Sequence, residues 1–309
     1  MRVNEGISAL RQRRESAVLS IGNFDGVHAG HRAIIERMKS LAAGGPLVIA
    51  TFEPHPLTVL NPAKSLSRLT PFGLKKRLLA DIGIDELVVL PPTPEVLGLT
   101  AEAFWQLLRD ETRPAHIVEG HSFNFGKDRA GTIERLREWA AGSPVRVHQI
   151  ECMGRQLIGG GHVEVSSSVV RALLAEGRVE DAAVCLDRPY RLTGRVVRGF
   201  GRGRTIGVPT ANLDCGDGLI PADGVYAARC AIDGRPYAVA LSIGSTPTFE
   251  QARLQVEAHV LDFEGDLYDQ SLEVDLLRHL RGQTKYLSTD ALVAQIRHDL
   301  ADVRAIAHV

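Results

Sequence analysis

The spacing of apolar residues changes once along this chain, and the change limits the folds open to it. Up to residue 150, short β-rich runs at Val18–Ile21, Leu47–Phe52, Glu86–Leu90, His116–Val118 and Val145–Ile150 alternate with stretches of helical period. Those stretches are Arg32–Leu41, Leu74–Asp81, Ala101–Asp110 and Thr132–Ala141. Strands alternating with helices of that length imply a doubly wound, parallel α/β sheet. Two more helical stretches follow, at Ser168–Ala175 and Val179–Leu186. Beyond them the runs Leu192–Val197, Val225–Ile232, Tyr237–Ile243, Gln255–Phe263 and Leu272–Leu277 succeed one another across Gly, Pro and Asp turns, and helical period returns only at Thr289–Ile306. That order predicts a β-barrel or sandwich closed by a terminal helix. The boundary is placed near Asp187–Tyr190, giving domains 1–187 and 188–309, and 309 residues suffice for two cores.

Composition narrows the setting. Hydrophobic content of 44% with 24% charged residues is that of a soluble globular protein. A formal net charge of −1 offers no bulk attraction to nucleic acid or to an anionic membrane. Cys152, Cys185, Cys215 and Cys230 are scattered, without a C-x-x-C pair, which fits a reducing compartment better than a disulfide framework. The N-terminus has no apolar core of a secretory signal, and no apolar run approaches a membrane span. The expected location is the cytoplasm.

The first chemical constellation is Gly22-Asn-Phe-Asp-Gly-Val-His28-Ala-Gly-His31, after the first strand and at the opening of the first helix. In a doubly wound sheet that junction binds ligands, and the free N–H groups of the helix start favour phosphate. His28 and His31, three apart, share one helical face and can donate hydrogen bonds to a phosphoryl group as charge develops. Taken alone, an H-x-x-H pair is as readily a solvated surface feature. The second constellation, from Gly194 to Asn212, holds Gly199, Gly201, Gly203 and Gly207 among four arginines and ends Pro-Thr210-Ala-Asn212. A glycine-rich loop can cradle phosphates, and the Thr210 hydroxyl with the Asn212 carboxamide offers hard ligands for Mg²⁺. An arginine–glycine nucleic-acid tract is the competing reading, but such tracts are repetitive and this one runs into ordered strand patterns.

The first string resembles the H-x-G-H signature of the nucleotidyltransferase superfamily in the form found in FMN adenylyltransferases. Thr51-Phe-Glu-Pro-His55-Pro, Phe123-Asn-Phe125-Gly with Gly131, and Ser166-Ser-Ser168-Val-Val-Arg171 resemble three further motifs of that family, in order. The second string resembles the riboflavin kinase motif G-x-G-R-G-x-x-L-G-x-P-T-A-N. Asp223-Gly-Val-Tyr226, Ile243-Gly-x-x-Pro-Thr-Phe249 and Glu257-Ala-His-Val-Leu-Asp-Phe263 continue the match. Together they resemble the bifunctional riboflavin kinase/FMN adenylyltransferase family.

The resemblance implies that the chain phosphorylates riboflavin to FMN and then adenylates FMN to FAD, using ATP twice with Mg²⁺. It implies catalytic roles for His28, His31 and Glu257. Nucleotide binding is carried over to Gly22, Phe24, Asp25, Gly30, Ser167, Ser168, Arg171, Gly201, Gly203 and Gly207. Flavin binding is carried over to His55, Ser122, Phe123 and Phe125, and metal binding to Thr210 and Asn212. On residues alone, Glu257 between Val256 and Ala258 also reads as a glutamate on a strand's polar face. Ser122 and Glu164 depart from the family pattern in the adenylyltransferase half, as Gln283 does in the kinase half, where glutamate is usual. Two alternatives stay open: a kinase with a weak adenylyltransferase half, and a flavin carrier without catalysis.

Overall fold

The structure is a computed structural model that describes residues 1–64, 66–199, 207–246 and 253–308. Its strands in the first half are β1 (Arg2–Glu5), β2 (Val18–Ile21), β3 (Leu47–Phe52), β4 (Glu86–Leu90), β5 (His116–Gly120), β6 (Asn124–Phe125), β7 (Gly131–Thr132) and β8 (Arg146–Ile150). The helices there are α1 (Ile7–Leu10), α2 (Ala29–Leu41), α3 (Pro56–Leu60), α4 (Phe72–Asp81), α5 (Pro94–Leu97), α6 (Ala101–Gln106) and α7 (Ile133–Ala140). Six strands form one parallel sheet in the order β1-β4-β3-β2-β5-β8.

Alternation along each strand sends successive side chains to opposite faces, and both faces are covered. Leu19, Val48 and Val88 pack with Phe104 of α6 and Leu136 of α7. Val18, Ile49 and Leu87 pack with Ile35 and Met38 of α2 and Leu79 of α4. Each fully buried Leu or Ile contributes about 1.5–3 kcal/mol relative to exposure. The strand order runs from β2 to β3 and β4 on one side and to β5 and β8 on the other. The C-terminal end of β2 is therefore the switch point at which such sheets bind ligands.

The second half continues with β9 (Gly154–Gln156), β10 (His162–Glu164), α8 (Ser167–Ala175) and α9 (Val179–Leu186). A barrel follows from β11 (Tyr190–Val197), β12 (Ala211–Asp214), β13 (Gly224–Ile232), β14 (Arg235–Thr246), β15 (Arg253–Val260) and β16 (Ser271–Arg281), and α10 (Thr289–Ala307) ends the chain. The barrel is closed and antiparallel, in the order β11-β12-β15-β14-β13-β16, with β11 pairing β16 to complete it. Closure leaves no open sheet edge. Val303 and Ala307 of α10 pack with Ala227 of β13 and Ala238 of β14.

The chain forms two compact units, residues 1–66 with 72–154, and residues 67–71 with 155–309. In the second unit Val170, Leu173 and Leu174 of α8 and Val179, Ala182 and Leu186 of α9 belong to the same core as barrel residues Leu192, Leu241 and Val274.

The described elements match the expected alternation and the barrel, beside short added elements such as α1, α3, α5, β6–β7 and β9–β10, and three differences have a plain cause. β1 lies in a segment whose charge pattern predicted no element. It is an edge strand with mostly exposed side chains, so it lacks the apolar signature of the strands inside the sheet. β12 is short and polar, with Leu213 its one buried residue. The helix expected to run to Asp110 remains α-helical only to Gln106 and continues as a π-helix over Leu107–Thr112.

Candidate active sites

In the first unit the loop after β2 folds back sharply to reach α2. Phe24 at φ 48°, Gly26 at φ 89° and Val27 at φ 41° all lie in the left-handed region. For a β-branched valine that conformation is costly, and strained backbone of this kind clusters at functional sites. Phe24 is buried, and its ring approaches His31 with centroids 4.8 Å apart. A Cβ at Gly22 would stand 3.3 Å from the Phe24 ring, so the absent side chain lets the ring lie there. Asp25 is buried in the same turn, and Gly30 sits in the first turn of α2.

His28 is the N-cap of α2 and its side chain accepts from the His31 N–H. The two rings stack, with centroids 3.7 Å apart. Burial, then the neighbouring His28, then the Lys75 cation push His31 well below the usual histidine range, so it is neutral at pH 7. Its Nδ1 is buried and makes no hydrogen bond among the described residues. A neutral ring with an unengaged nitrogen is equipped to bond a ligand.

The segment after β3 clamps this loop. Thr51 Oγ1 donates to the Asn23 carbonyl at 3.2 Å. His55 caps α3, its Nδ1 accepting from the Leu57 N–H at 3.1 Å. His55 Nε2 lies 3.0 Å from Asn23 Nδ2. Both nitrogens of His55, a candidate flavin contact, are thus engaged within the chain.

Phe123 and Phe125 stack with centroids 5.4 Å apart and have different surroundings. Phe125 is buried against Phe104 and Trp139, whereas Phe123 is half-buried and Ser122 exposed. Gly131 passes under Phe125, where a Cβ would meet the ring at 2.6 Å. Of the pair, Phe123 is the ring with a face to offer.

Ser167, Ser168 and Arg171 lie on α8, in the second unit. Ser166 caps that helix by accepting from the Val169 N–H at 3.3 Å, and Arg171 Nε donates to the Ser67 carbonyl at 3.4 Å.

On the barrel, Asn212 of β12 pairs with Glu257 of β15, and Glu257 pairs with Ser242 of β14. Val256 and Ala258 are buried, so Glu257 takes the outer face with Asn212 and Ser242 beside it. Gly199 lies so close to Asn212 that a Cβ there would stand 2.0 Å from Nδ2. Two residues beyond Glu257, His259 Nδ1 donates to the Pro209 carbonyl at 2.7 Å, tying the segment that carries Thr210 to β15. Gly207 is described, at φ 77°, whereas Gly201, Gly203 and the Pro-Thr-Phe249 match lie outside the described residues.

Reading along the chain gave Ser242 and His259 no role, and placed Gly199 in the glycine-rich loop without its contact to Asn212. Glu257 and His259 share a face by the two-residue period of a strand, a signal present in the sequence. Ser242 joins them only through strand register, which sequence does not display.

A looped histidine pair at a parallel switch point, and a carboxylate beside a carboxamide on a closed barrel, define a two-unit nucleotide-dependent transferase. Family models described as FAD synthetase and riboflavin kinase match residues 10–168 and 186–307. Proteins called bifunctional riboflavin kinase/FMN adenylyltransferase share 35% identity in Escherichia coli K12 (97% of this chain, 96% of that one) and 33% in Listeria monocytogenes (93% and 91%). The chain belongs to this bifunctional riboflavin kinase/FMN adenylyltransferase family. A crystal structure from Streptococcus pneumoniae described as a macrolide-efflux protein superposes with a TM-score of 0.84 and 30% identity, covering 94% of each chain. Among the described residues no helix is long and apolar enough to cross a membrane.

Proposed function

We propose that the chain phosphorylates riboflavin with ATP to give FMN, and then transfers AMP from a second ATP to FMN, giving FAD and pyrophosphate. The kinase step is assigned to residues 188–309 and the adenylyl transfer to residues 1–187. The register that sets Glu257 between Asn212 and Ser242 carries the kinase reading. The Glu257 carboxylate takes the proton of the riboflavin primary hydroxyl as that oxygen attacks the γ-phosphorus, and ADP leaves. The Asn212 carboxamide and the Thr210 hydroxyl are oxygen donors of the kind Mg²⁺ selects, and Gly199 leaves room at Asn212. When bound there, Mg²⁺ would neutralise charge on the ATP phosphates.

In the adenylyl transfer an FMN phosphate oxygen attacks the α-phosphorus and pyrophosphate leaves. His28 and the neutral His31 give hydrogen bonds to the developing charge, and Gly22, Phe24, Asp25 and Gly30 shape the loop around it. Phe123 offers a stacking face to the flavin. Ser167, Ser168 and Arg171 are assigned to the ATP phosphates.

Cys152, Cys185, Cys215 and Cys230 are not joined in disulfides. Burial first, then a neighbouring aspartate, pushes Cys215 up to about 12 and Cys230 up to about 11, which keeps both as unreactive thiols. Buried, protonated thiols at Cys215 and Cys230 support a cytoplasmic location.

Incubation with riboflavin, ATP and Mg²⁺, followed by chromatography of the flavins, tests the assignment. FMN and FAD together support it. FMN alone leaves a kinase, and unchanged riboflavin leaves a carrier.

A further inference from the structure

The C-terminal ends of β5 and β8 bring together a pair of side chains that the proposed adenylyl transfer leaves unused. β5 stops at Gly120 and β8 at Ile150, and just past them the His121 N–H donates to the Ile150 carbonyl at 3.0 Å. Cys152, shortly after β8, brings its Sγ to 3.1 Å from His121 Nε2 and 3.2 Å from Nδ1. His121 is exposed and Cys152 half-buried, so solvent reaches the pair. The chain then turns at once into the flavin loop. The Phe123 N–H donates to the Gly120 carbonyl at 3.0 Å, which fixes Ser122 and Phe123 directly beyond His121.

An imidazole in contact with a sulfur can take up the thiol proton and hold the resulting thiolate by its charge, and the thiolate is the nucleophile. The other three cysteines differ. Cys185, Cys215 and Cys230 are buried, and burial first, then a nearby aspartate, raises each thiol above its ordinary range. We propose that Cys152, paired with His121, is a modification site for low-molecular-weight disulfides, and that an adduct there blocks the flavin loop. The Cys152 sulfur attacks one sulfur of the disulfide and the S–S bond breaks. The second half leaves as a thiolate, and the Cys152 proton stays on His121.

The adduct places a bulky group against the ring that leads into Ser122 and Phe123. His121 must leave the sulfur, and the turn that carries Phe123 shifts with it. Adenylyl transfer is lost while riboflavin phosphorylation, assigned to residues 188–309, continues. This effect on catalysis rests on the reading of Phe123 as the stacking face for the flavin. The reactivity of Cys152 stands apart from that reading, because it depends only on His121 and on access to solvent.

The test treats the full chain with glutathione disulfide near neutral pH, maps the adducts by peptide mass spectrometry and follows both reaction steps. Cys152 should be modified at least about tenfold faster than Cys185, Cys215 or Cys230. FAD formation from supplied FMN should fall by about tenfold or more, FMN formation should persist, and dithiothreitol should restore the lost activity. His121→Asn should slow the modification by about tenfold, the change in thiolate fraction for a thiol raised by about one pH unit. Cys152→Ser should make FAD at the wild-type rate and keep that rate in the disulfide. Modification of Cys152 no faster than that of the buried thiols, or unslowed by His121→Asn, overturns the site. Fast modification with undiminished FAD formation overturns the block of the flavin loop. A wild type that makes no FAD would sink the adenylyltransferase reading, and the modification rates would still decide whether Cys152 is the reactive thiol.

Discussion

His28 and His31 stack ring on ring, with planes 19° from parallel, and the His31 N–H reaches back to His28 Nδ1 at 3.4 Å. The cap that starts α2 and the pair assigned to the phosphates are thus one arrangement. Two imidazoles in contact cannot both carry charge without mutual repulsion, and burial adds to the cost. His31 is therefore held as a neutral hydrogen-bonding group.

His28→Ala and His31→Ala should each lower kcat for FAD formation from FMN by about 10²–10³-fold, the usual loss for a donor aimed at developing charge. Riboflavin phosphorylation by the same proteins should be unchanged. Steady-state rates of both steps check this. A normal kcat with only a raised KM for ATP would show that the pair binds the ground state.

Glu257→Gln should remove FMN formation by about 10²–10⁴-fold, the usual contribution of a positioned base, while FAD formation from supplied FMN persists. The substitution keeps shape and hydrogen bonding and removes only basicity. Equal loss of both steps would mark Glu257 as structural.

The unequal legibility of these sites has a physical origin. The histidine loop could be read because its residues are contiguous and the strand–helix junction fixes where they sit. The clamp on it, Thr51 and His55 reaching Asn23, joins residues about thirty positions apart. Its motif was visible in the sequence but its work as a clamp was not. Phe123 and Phe125 read as equivalent, and packing against Trp139 makes one of them core. In the barrel, Glu257, Asn212 and Ser242 come together only when strand register is known. Local periodicity carries faces, not partners.

Glu119 supplies a stability test. It is buried at the end of β5, where its carboxyl accepts the Ile21 N–H at 2.6 Å, just ahead of Gly22. Burial holds its pKa well above the ordinary 4.5, outweighing that hydrogen bond. The unfolded chain releases this proton near pH 4.5 and the native chain keeps it to higher pH. Stability therefore falls as pH rises across that window. Glu119→Gln keeps an acceptor for Ile21 and removes the titration. Its Tm should match wild type near pH 4 and exceed it above neutrality by several degrees, at about 2–4 °C per kcal/mol. A Tm difference independent of pH would contradict the linkage.

A truncation series tests how the second unit holds together. Tyr190, Leu192 and Val274 share one core with Leu173 and Leu174 of α8 and with Val179 and Leu186 of α9. A fragment beginning at Arg155 keeps α8 and α9 on that core and loses only Leu69 from it, whereas one beginning at Arg188 loses both helices. Both should phosphorylate riboflavin, because Asn212, Ser242 and Glu257 remain in each. The longer fragment should melt at higher temperature and stay soluble at higher concentration. Equal melting temperatures would mean that α8 and α9 add nothing to the barrel.

Gly199→Ala probes the barrel site with a single methyl group. Gly199 is not in the left-handed region, so alanine brings no backbone strain. What it brings is overlap, since the new Cβ would stand 2.0 Å from Asn212 Nδ2 and 2.5 Å from Cγ. The atoms in the way are the end of a short side chain on an outer face, and the amide can rotate aside without disturbing the buried Leu213. The barrel should fold, and Tm should change little. Asn212, however, leaves the position from which its carboxamide would meet Mg²⁺, beside Glu257 in the ladder. FMN formation should fall at least tenfold, with a higher Mg²⁺ concentration needed for half-maximal rate, and FAD formation from FMN should be untouched. The measurement is FMN synthesis against Mg²⁺ at fixed ATP for both proteins. A fall in rate with an unchanged Mg²⁺ requirement would remove Asn212 from the metal site and leave it as a neighbour of the base.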